Sequence, residues 1–355
     1  MDYVADMRSP NPPARRRRGV TWLLALAAAG ALLAGCGGGS RADAGNSAAG
    51  NSPVTASGAS GGGASGSGAS GGGTSGSTSG GSSSGTATTT GGGATHHGNV
   101  DVLSAGSLET ILTKTVGPAF HRATGYTLVD TSGGSSSLAA EIKGKTQVAD
   151  VFVSASPAVN ATLEGAANGD WVSWYATFAK SPLVLEYYPK SRFAHALRTR
   201  PWYDVITEKG FRLGRTNPAQ DPGGVLDAEA LDRTASARHL PALAAIAKDP
   251  STEYSETALP GEVQSGQLDA AFAYLADANS TGLPHVDLTG VSLYGDYTVT
   301  LVNRAPHTAA AEAFIRYLTG PAGRAAFRGD QFVVVAPPRT TGHGVPAALR
   351  STVGS

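Results

Sequence analysis

Residues 37–98 are almost entirely glycine, serine, alanine and threonine, and they divide the chain into parts with different prospects for folding. Such a composition buries too little apolar surface to offset the entropy of ordering. The sequence therefore predicts a disordered tether, with an r.m.s. reach of roughly 40–45 Å for a Gly/Ser coil of that length. Two bare pattern matches fall inside it: GSGASG (66–71) fits a dinucleotide fingerprint and GSSSG (81–85) a nucleophile elbow. Neither has a strand and a helix around it, so both are accidents of composition. His96 and His97 stand at its end as solvated neighbours, a pair that more often binds nothing.

Ahead of the tether, Arg15 to Arg18 precede the apolar run GVTWLLALAAAGALLAG and then Cys36. A basic head, a short apolar run and small residues before a processing point make a secretory signal. The run is short for a membrane span, which needs about 20 apolar residues. Leu33-Ala34-Gly35-Cys36 resembles the lipobox of bacterial lipoproteins, whose cysteine is lipidated and becomes the mature N-terminus. That resemblance implies a signal over residues 1–36 and lipid on Cys36. The protein is then exported and held at the outer face of the cytoplasmic membrane by its lipid alone. The arginine run also faintly resembles a twin-arginine signal, and Met7 is an alternative start. Cys36 is the only cysteine, so once lipidated it leaves no thiol for a disulfide, a zinc site or a nucleophile.

From Asn99 to about residue 340 the composition is mixed apolar and charged, enough chain for two lobes. Lys+Arg and Asp+Glu are balanced at 27 each. No basic block lies outside the signal, which excludes a nucleic-acid footprint. Strand and helix patterns alternate. VDVLSA (100–105), YTLVDT (126–131), ADVFVSAS (149–156), SPLVLEYY (181–188), FRLGRT (211–216) and YTVTLVN (297–303) read as strands. LDAAFAYLADA (268–278) reads as a buried strand with an exit loop. Leu108, Ile111, Leu112, Val116 and Phe120 follow helical spacing, and further helices are predicted over 136–145, from Val225 to about Lys248, and over 309–320. This alternation predicts an α/β fold with parallel sheets of doubly wound type.

Ligands of open α/β sheets bind beyond the carboxyl ends of the strands, where helices begin. Three loops sit there: AGSL (105–108), with Ser107 placed at an N-cap; SGGSSS (132–137), with Ser135 and Ser136; and GRTNPAQDPGG (214–224), with Asp221, Gly223 and Gly224. Each offers hydroxyls or the free N–H groups of a helix start, which points to a small oxyanion. Asp221 is the odd member, a negative charge in an anion loop. Asp-Pro at a helix start, with Pro222 at the first helical position, is a common N-cap arrangement.

The folded part resembles the periplasmic-type solute-binding proteins for molybdate and tungstate that serve ABC importers. The likeness spans about residues 100–330 and is carried by AGSL, SGGSS, ADVFVSAS, AKSPLVLEYYP, NPAQDPGG and DAAFAYLADA in that order. It implies a two-lobed periplasmic-binding-protein type II fold, each lobe a mostly parallel sheet flanked by helices. Lobe I would comprise 99–183 and 284–340, lobe II 184–283, and 341–355 a C-terminal tail. The crossovers would lie near SPLVLEYY and near residues 279–296. It further implies that Ser107, with Ser135 or Ser136, hydrogen-bonds the oxyanion, that Tyr274 reaches it from lobe II, and that a backbone amide of the Asp-Pro-Gly-Gly turn faces it. Asp221 matches an aspartate that coordinates the metal of the oxyanion in the tungstate branch. The glutamate that stands before the tyrosine in that branch is here Ala273, so the resemblance favours the four-coordinate molybdate type and a capping Asp221. It implies no cofactor, no resident metal, no catalysis, a monomer, and a permease as partner. Other readings are a site for sulfate, phosphate or an organic anion, a tethered surface sensor, and a serine hydrolase. The last lacks any G-x-S-x-G in the fold and any histidine ligand spacing. Asp150 and Asp277 read as loop-capping or hinge residues.

Overall fold

The structure is a computed structural model that describes residues 98–354. The signal, Cys36 and the tether through residue 97 lie outside the described residues. The first wing of the sheet is built on β1 (Asn99–Ala105), β2 (Thr127–Gly133) and β3 (Val151–Ser154). β4 (Trp174–Tyr187) is a long strand through the middle, and β5 (Leu213–Thr216), β6 (Glu253–Tyr254) and β7 (Ala270–Tyr274) form the second wing. β8 (His285–Asp287), β9 (Tyr294–Leu301) and β10 (Val333–Gly342) complete the strands. The order is β2-β1-β3-β9-β4-β7-β5-β6, with β8 and β10 also on β4.

β1 pairs in parallel with β2 and β3, and β5 in parallel with β6 and β7. The antiparallel pairs all involve β4 or β9. The parallel character predicted from strand–helix alternation thus belongs to the wings. The strands that carry the chain between the wings run antiparallel to their neighbours. β4 joins the two because its residues 176–182 pair with β9 while 183–187 pair with β7. Helices flank the sheet, so a strand such as β3 (VFVS) is buried along its whole length, as a sheet covered on both faces requires.

Several expectations change in detail. The long helix read from Val225 to about Lys248 is two helices, Pro222–Arg238 and Pro241–Ile246. His239 adopts a left-handed conformation with φ 57°, and Pro241 both lacks the N–H to continue a helix and disfavours helical geometry at Leu240. The exit loop read after Tyr274 is a helix, Leu275–Thr281. Residues 341–354 pack on the fold: β10 reaches Gly342, and Val345, Leu349 and Val353 are buried. The stripe Leu108, Ile111, Leu112, Val116 and Phe120 is buried as its spacing predicts, although the backbone widens to a π-turn over Leu112–Val116. No helix among the described residues is long and apolar enough to cross a membrane.

The core leads directly to the strand ends. Phe178, Phe327, Phe332, Tyr297 and Tyr274 form a continuous series of tilted or edge-on ring contacts, with centroids 5.1, 4.8, 5.4 and 5.8 Å apart. Edge-to-face pairs of this kind add to area burial, and here they fix the two tyrosines.

Candidate functional site

The three predicted loops do meet beyond the carboxyl ends of β1, β2 and β5, joined there by Tyr274 at the end of β7. Ser107 lies within a tight turn, Gly106–Leu108, and is not its N-cap, which is Ala105. Its hydroxyl instead shares a 2.9 Å hydrogen bond with Tyr297 Oη. Ser135 is the first residue of the Ser135–Gly144 helix, and its Oγ accepts the Ala155 amide at 3.1 Å. Asp221 caps the Pro222–Arg238 helix from an extended conformation, φ −141° and ψ 137°. Its Oδ1 accepts the Gly223 amide at 2.6 Å and the Thr216 hydroxyl at 3.2 Å, which is the bonding a capping aspartate makes.

Beside these loops stands a residue that sequence reasoning missed. Glu256 accepts the Gly106 amide on Oε2 at 2.9 Å and the Ser107 amide on Oε1 at 3.0 Å. One carboxyl group thus takes both N–H groups at the turn after β1. Asp221 faces both this carboxyl and the backbone amide of Ser135. Tyr274 Oη is buried without a partner.

Glu186, Asp221, Asp227, Glu256 and Asp277 line one small cavity of about 20 Å³ with Thr216, Gly223, Ala273 and Tyr274, room for about one water molecule. Among the described residues no lysine, arginine or histidine lines it. Burial therefore dominates the acids. It raises Glu256 well above the carboxylate range, with the charges of Asp221 and Asp277 adding to the shift. Burial likewise raises Asp221 and Asp227, takes Asp277 to about 7, and takes Glu186 to about 8 with repulsion from Asp277. Tyr274 and Tyr297 are pushed up by burial in the same way and stay protonated, so both phenols remain hydrogen-bond donors.

Of the predicted residues, Asp221, Gly223 and Tyr274 line this cavity. Ser107 and Ser135 reach it through the carboxylates that their amides face. Ser136 is set apart, lining a separate depression with Ser156, Pro222 and Tyr294. Gly224 turns toward the backbone of residues 216–218. Glu186 had left a signal, a lone charge inside the apolar strand SPLVLEYY. Tyr297 reads like any core residue of a strand, and Glu256 lies in a loop without a motif. Asp277 accepts the Tyr274 amide at 3.1 Å. Asp150 accepts the Asp101 and His307 amides at 2.8 and 2.7 Å, so both act as the loop-tying residues expected.

Chemically the arrangement can hold an acidic group through backbone N–H and phenol donors. Among the described residues neither Ser107 nor Ser135 hydrogen-bonds a histidine, and their hydroxyls are engaged by Tyr297 and the Ala155 amide.

Known proteins bear on this site. A putative ABC transporter molybdenum-binding protein of Haloferax volcanii is 29% identical over 249 residues, covering 63% of this chain and 78% of that protein. A molybdate/tungstate-binding protein of Pyrococcus abyssi is 24% identical over 236 residues, covering 52% and 68%. The periplasmic molybdate-binding protein of Azotobacter vinelandii superposes with a TM-score of 0.53 at 19% identity, covering 66% of this chain and 99% of its own. The sulfate-binding protein SubI of Mycobacterium tuberculosis does so with a TM-score of 0.51 at 17% identity, covering 68% and 88%. These superpositions establish a shared periplasmic-binding-protein fold. The family profile described as bacterial extracellular solute-binding protein matches residues 100–332. That span runs from β1 to the residue before β10 and takes in every loop of the carboxyl-lined site, so the chain belongs to the bacterial extracellular solute-binding protein family.

Proposed function

We propose that this protein captures a tetrahedral oxyanion, molybdate or tungstate, and delivers it to an ABC importer. The observation that carries the reading is the pair of amides at Gly106 and Ser107, spaced to grip two oxygens of one anionic group, as they grip Glu256. Amides at the start of a helix or turn favour negative charge without any arginine. The unpartnered hydroxyl of Tyr274 is a further donor for the ligand. The molybdenum and tungstate names of the Haloferax and Pyrococcus relatives support the choice of anion. The ligand would lie between a lobe built on residues 99–183 with 284–340 and a lobe of residues 184–283, with β4 as one of the crossovers.

Calorimetric titration with molybdate, tungstate, sulfate and phosphate tests this, and molybdate or tungstate is expected to bind most tightly. Tyr274→Phe removes a hydroxyl that no protein group uses, so folding should be unaffected. A hydrogen bond to a charged group is worth about 1.5–3 kcal/mol, so affinity should fall roughly ten- to a hundredfold. An unchanged affinity would remove Tyr274 from the site, and a protein that binds none of the four anions would end the reading.

The same proposal has the protein reach its permease while tethered by lipid on Cys36. Cys36→Ser is expected to release the protein to the medium or leave it unprocessed, judged by fractionation. A processed serine variant that stays with the membrane would contradict the anchor.

A further inference from the structure

We propose that Asp101, Asp150 and His307 form a second site, a seat for a first-row divalent cation such as zinc. They come from β1, from the position just before β3, and from the loop that leads into the Thr308–Thr319 helix. One ligand atom from each lies within 4.8 Å of the other two. The oxyanion reading uses none of them. β1 and β3 run in parallel, so the starts of these strands lie on the edge of the sheet opposite their carboxyl ends.

The geometry suits a shared cation. Asp150 is fully buried and frames the site. Its Oδ1 accepts the His307 amide at 2.7 Å, and its Oδ2 accepts the Asp101 amide at 2.8 Å. The His307 ring is thereby held in place, with Nδ1 3.0 Å from Asp150 Oδ2. Asp101 Oδ2 faces the same nitrogen at 3.7 Å, beyond hydrogen-bond range. Oxygen and nitrogen ligands sit about 2.0–2.2 Å from zinc, so two of them on one tetrahedral ion are about 3.3 Å apart. The distances of 3.0 and 3.7 Å lie on either side of that spacing.

Charge and access agree with the geometry. Two carboxyls face one imidazole, and among the described residues neither pairs with a lysine or an arginine. A cation on Nδ1 takes the place of the proton shared with Asp150 Oδ2, and that proton leaves to solvent. An imidazole beside two carboxylates favours zinc or its neighbours over calcium and magnesium, which prefer oxygen alone. The side chains of His307 and Asp101 are 48% and 35% exposed. The cation therefore has a way in, and water completes its coordination. Once bound, it clamps β1, the start of β3 and the start of the Thr308–Thr319 helix together.

Thermal melting of the full chain with zinc chloride tests this. A ligand raises stability only where it binds the folded chain better than the unfolded one, so zinc held by the tether alone would leave melting unchanged. Zinc at about a hundredfold above its Kd should raise the melting temperature by about 5–10 °C. His307→Gln keeps a side-chain amide that can donate to Asp150 but has no ring nitrogen, and Asp101→Asn removes the second carboxylate. Both leave the buried Asp150 in place. Each should bind zinc at least tenfold more weakly by calorimetry and lose most of the shift, with molybdate affinity unchanged. His285→Gln, at an exposed position of β8, should behave as the wild type. No zinc-induced shift in the wild type would overturn the proposal, and so would a full shift in His307→Gln.

Discussion

Gly224→Ala is expected to lower the melting temperature by about 6–12 °C, which corresponds to about 3 kcal/mol for a domain of this size. A Cβ at this position would stand 2.3 Å from the Thr216 carbonyl oxygen, 2.6 Å from the Pro218 nitrogen and 2.7 Å from the Asn217 carbonyl carbon. All three are backbone atoms, so no side chain can rotate aside, and overpacking that shifts backbone costs about 1–3 kcal/mol or more. The first turn of the Pro222–Arg238 helix must then retreat from the loop that follows β5. Asp221 and the Gly223 amide belong to that turn, so oxyanion affinity should fall along with stability. Thermal denaturation followed by circular dichroism checks the first effect and calorimetry the second. A variant that melts within about 2 °C of the wild type, less than one kcal/mol of destabilisation, would show that the loop yields at little cost.

Stability is expected to fall as pH rises from about 5 to about 8. Glu186 and Asp277 have ordinary values of 4.5 and 3.8, and in the folded protein burial holds them at about 8 and about 7. Between those limits the folded protein binds protons that the unfolded chain has released. Each pH unit then favours unfolding by up to about 1.4 kcal/mol for each such proton. The stabilisation is complete below the unfolded values and is lost as pH climbs through about 7 and then about 8. Glu186 carries the larger share, because both of its carboxyl oxygens are buried without partners. Glu186→Gln cannot ionise and keeps the same size. It should match the wild type near pH 5 and exceed it by on the order of 2–4 kcal/mol at pH 8. Denaturant titrations of both proteins at the two pH values test this, and parallel losses in wild type and variant would show that Glu186 is not the group responsible.

Much of the fold was legible in the sequence because its signals are local. The apolar run of β3, the helical spacing from Leu108 to Phe120 and the Asp-Pro-Gly-Gly turn each express a preference decided within one or two turns of chain. Asp221 could be read as a cap because its partner, Gly223, is two residues away. Ser107 misled for the opposite reason. A serine at a loop–helix junction usually bonds its own helix, and here the hydroxyl goes to Tyr297, 190 residues on. The break at His239 was passed over because apolar residues continue on both sides of Pro241, and periodicity alone does not weigh a missing N–H.

The sequence by itself determined the alternation of strands and helices, the helix starts that face a common edge, the cap at Asp221 and the tyrosine that ends β7. These follow from propensity, capping and hydrophobic period, which act over a few residues. Only the tertiary structure decided that Glu186, Asp221, Asp227, Glu256 and Asp277 share one cavity and that Glu256 fills the amides of Gly106 and Ser107. Desolvation and charge repulsion are set by whatever lies within a few ångströms, and here those neighbours arrive from β4, β5, β7 and the loop after β6. No spacing along the chain encodes that meeting, because the closure of the sheet through β4 is what brings it about.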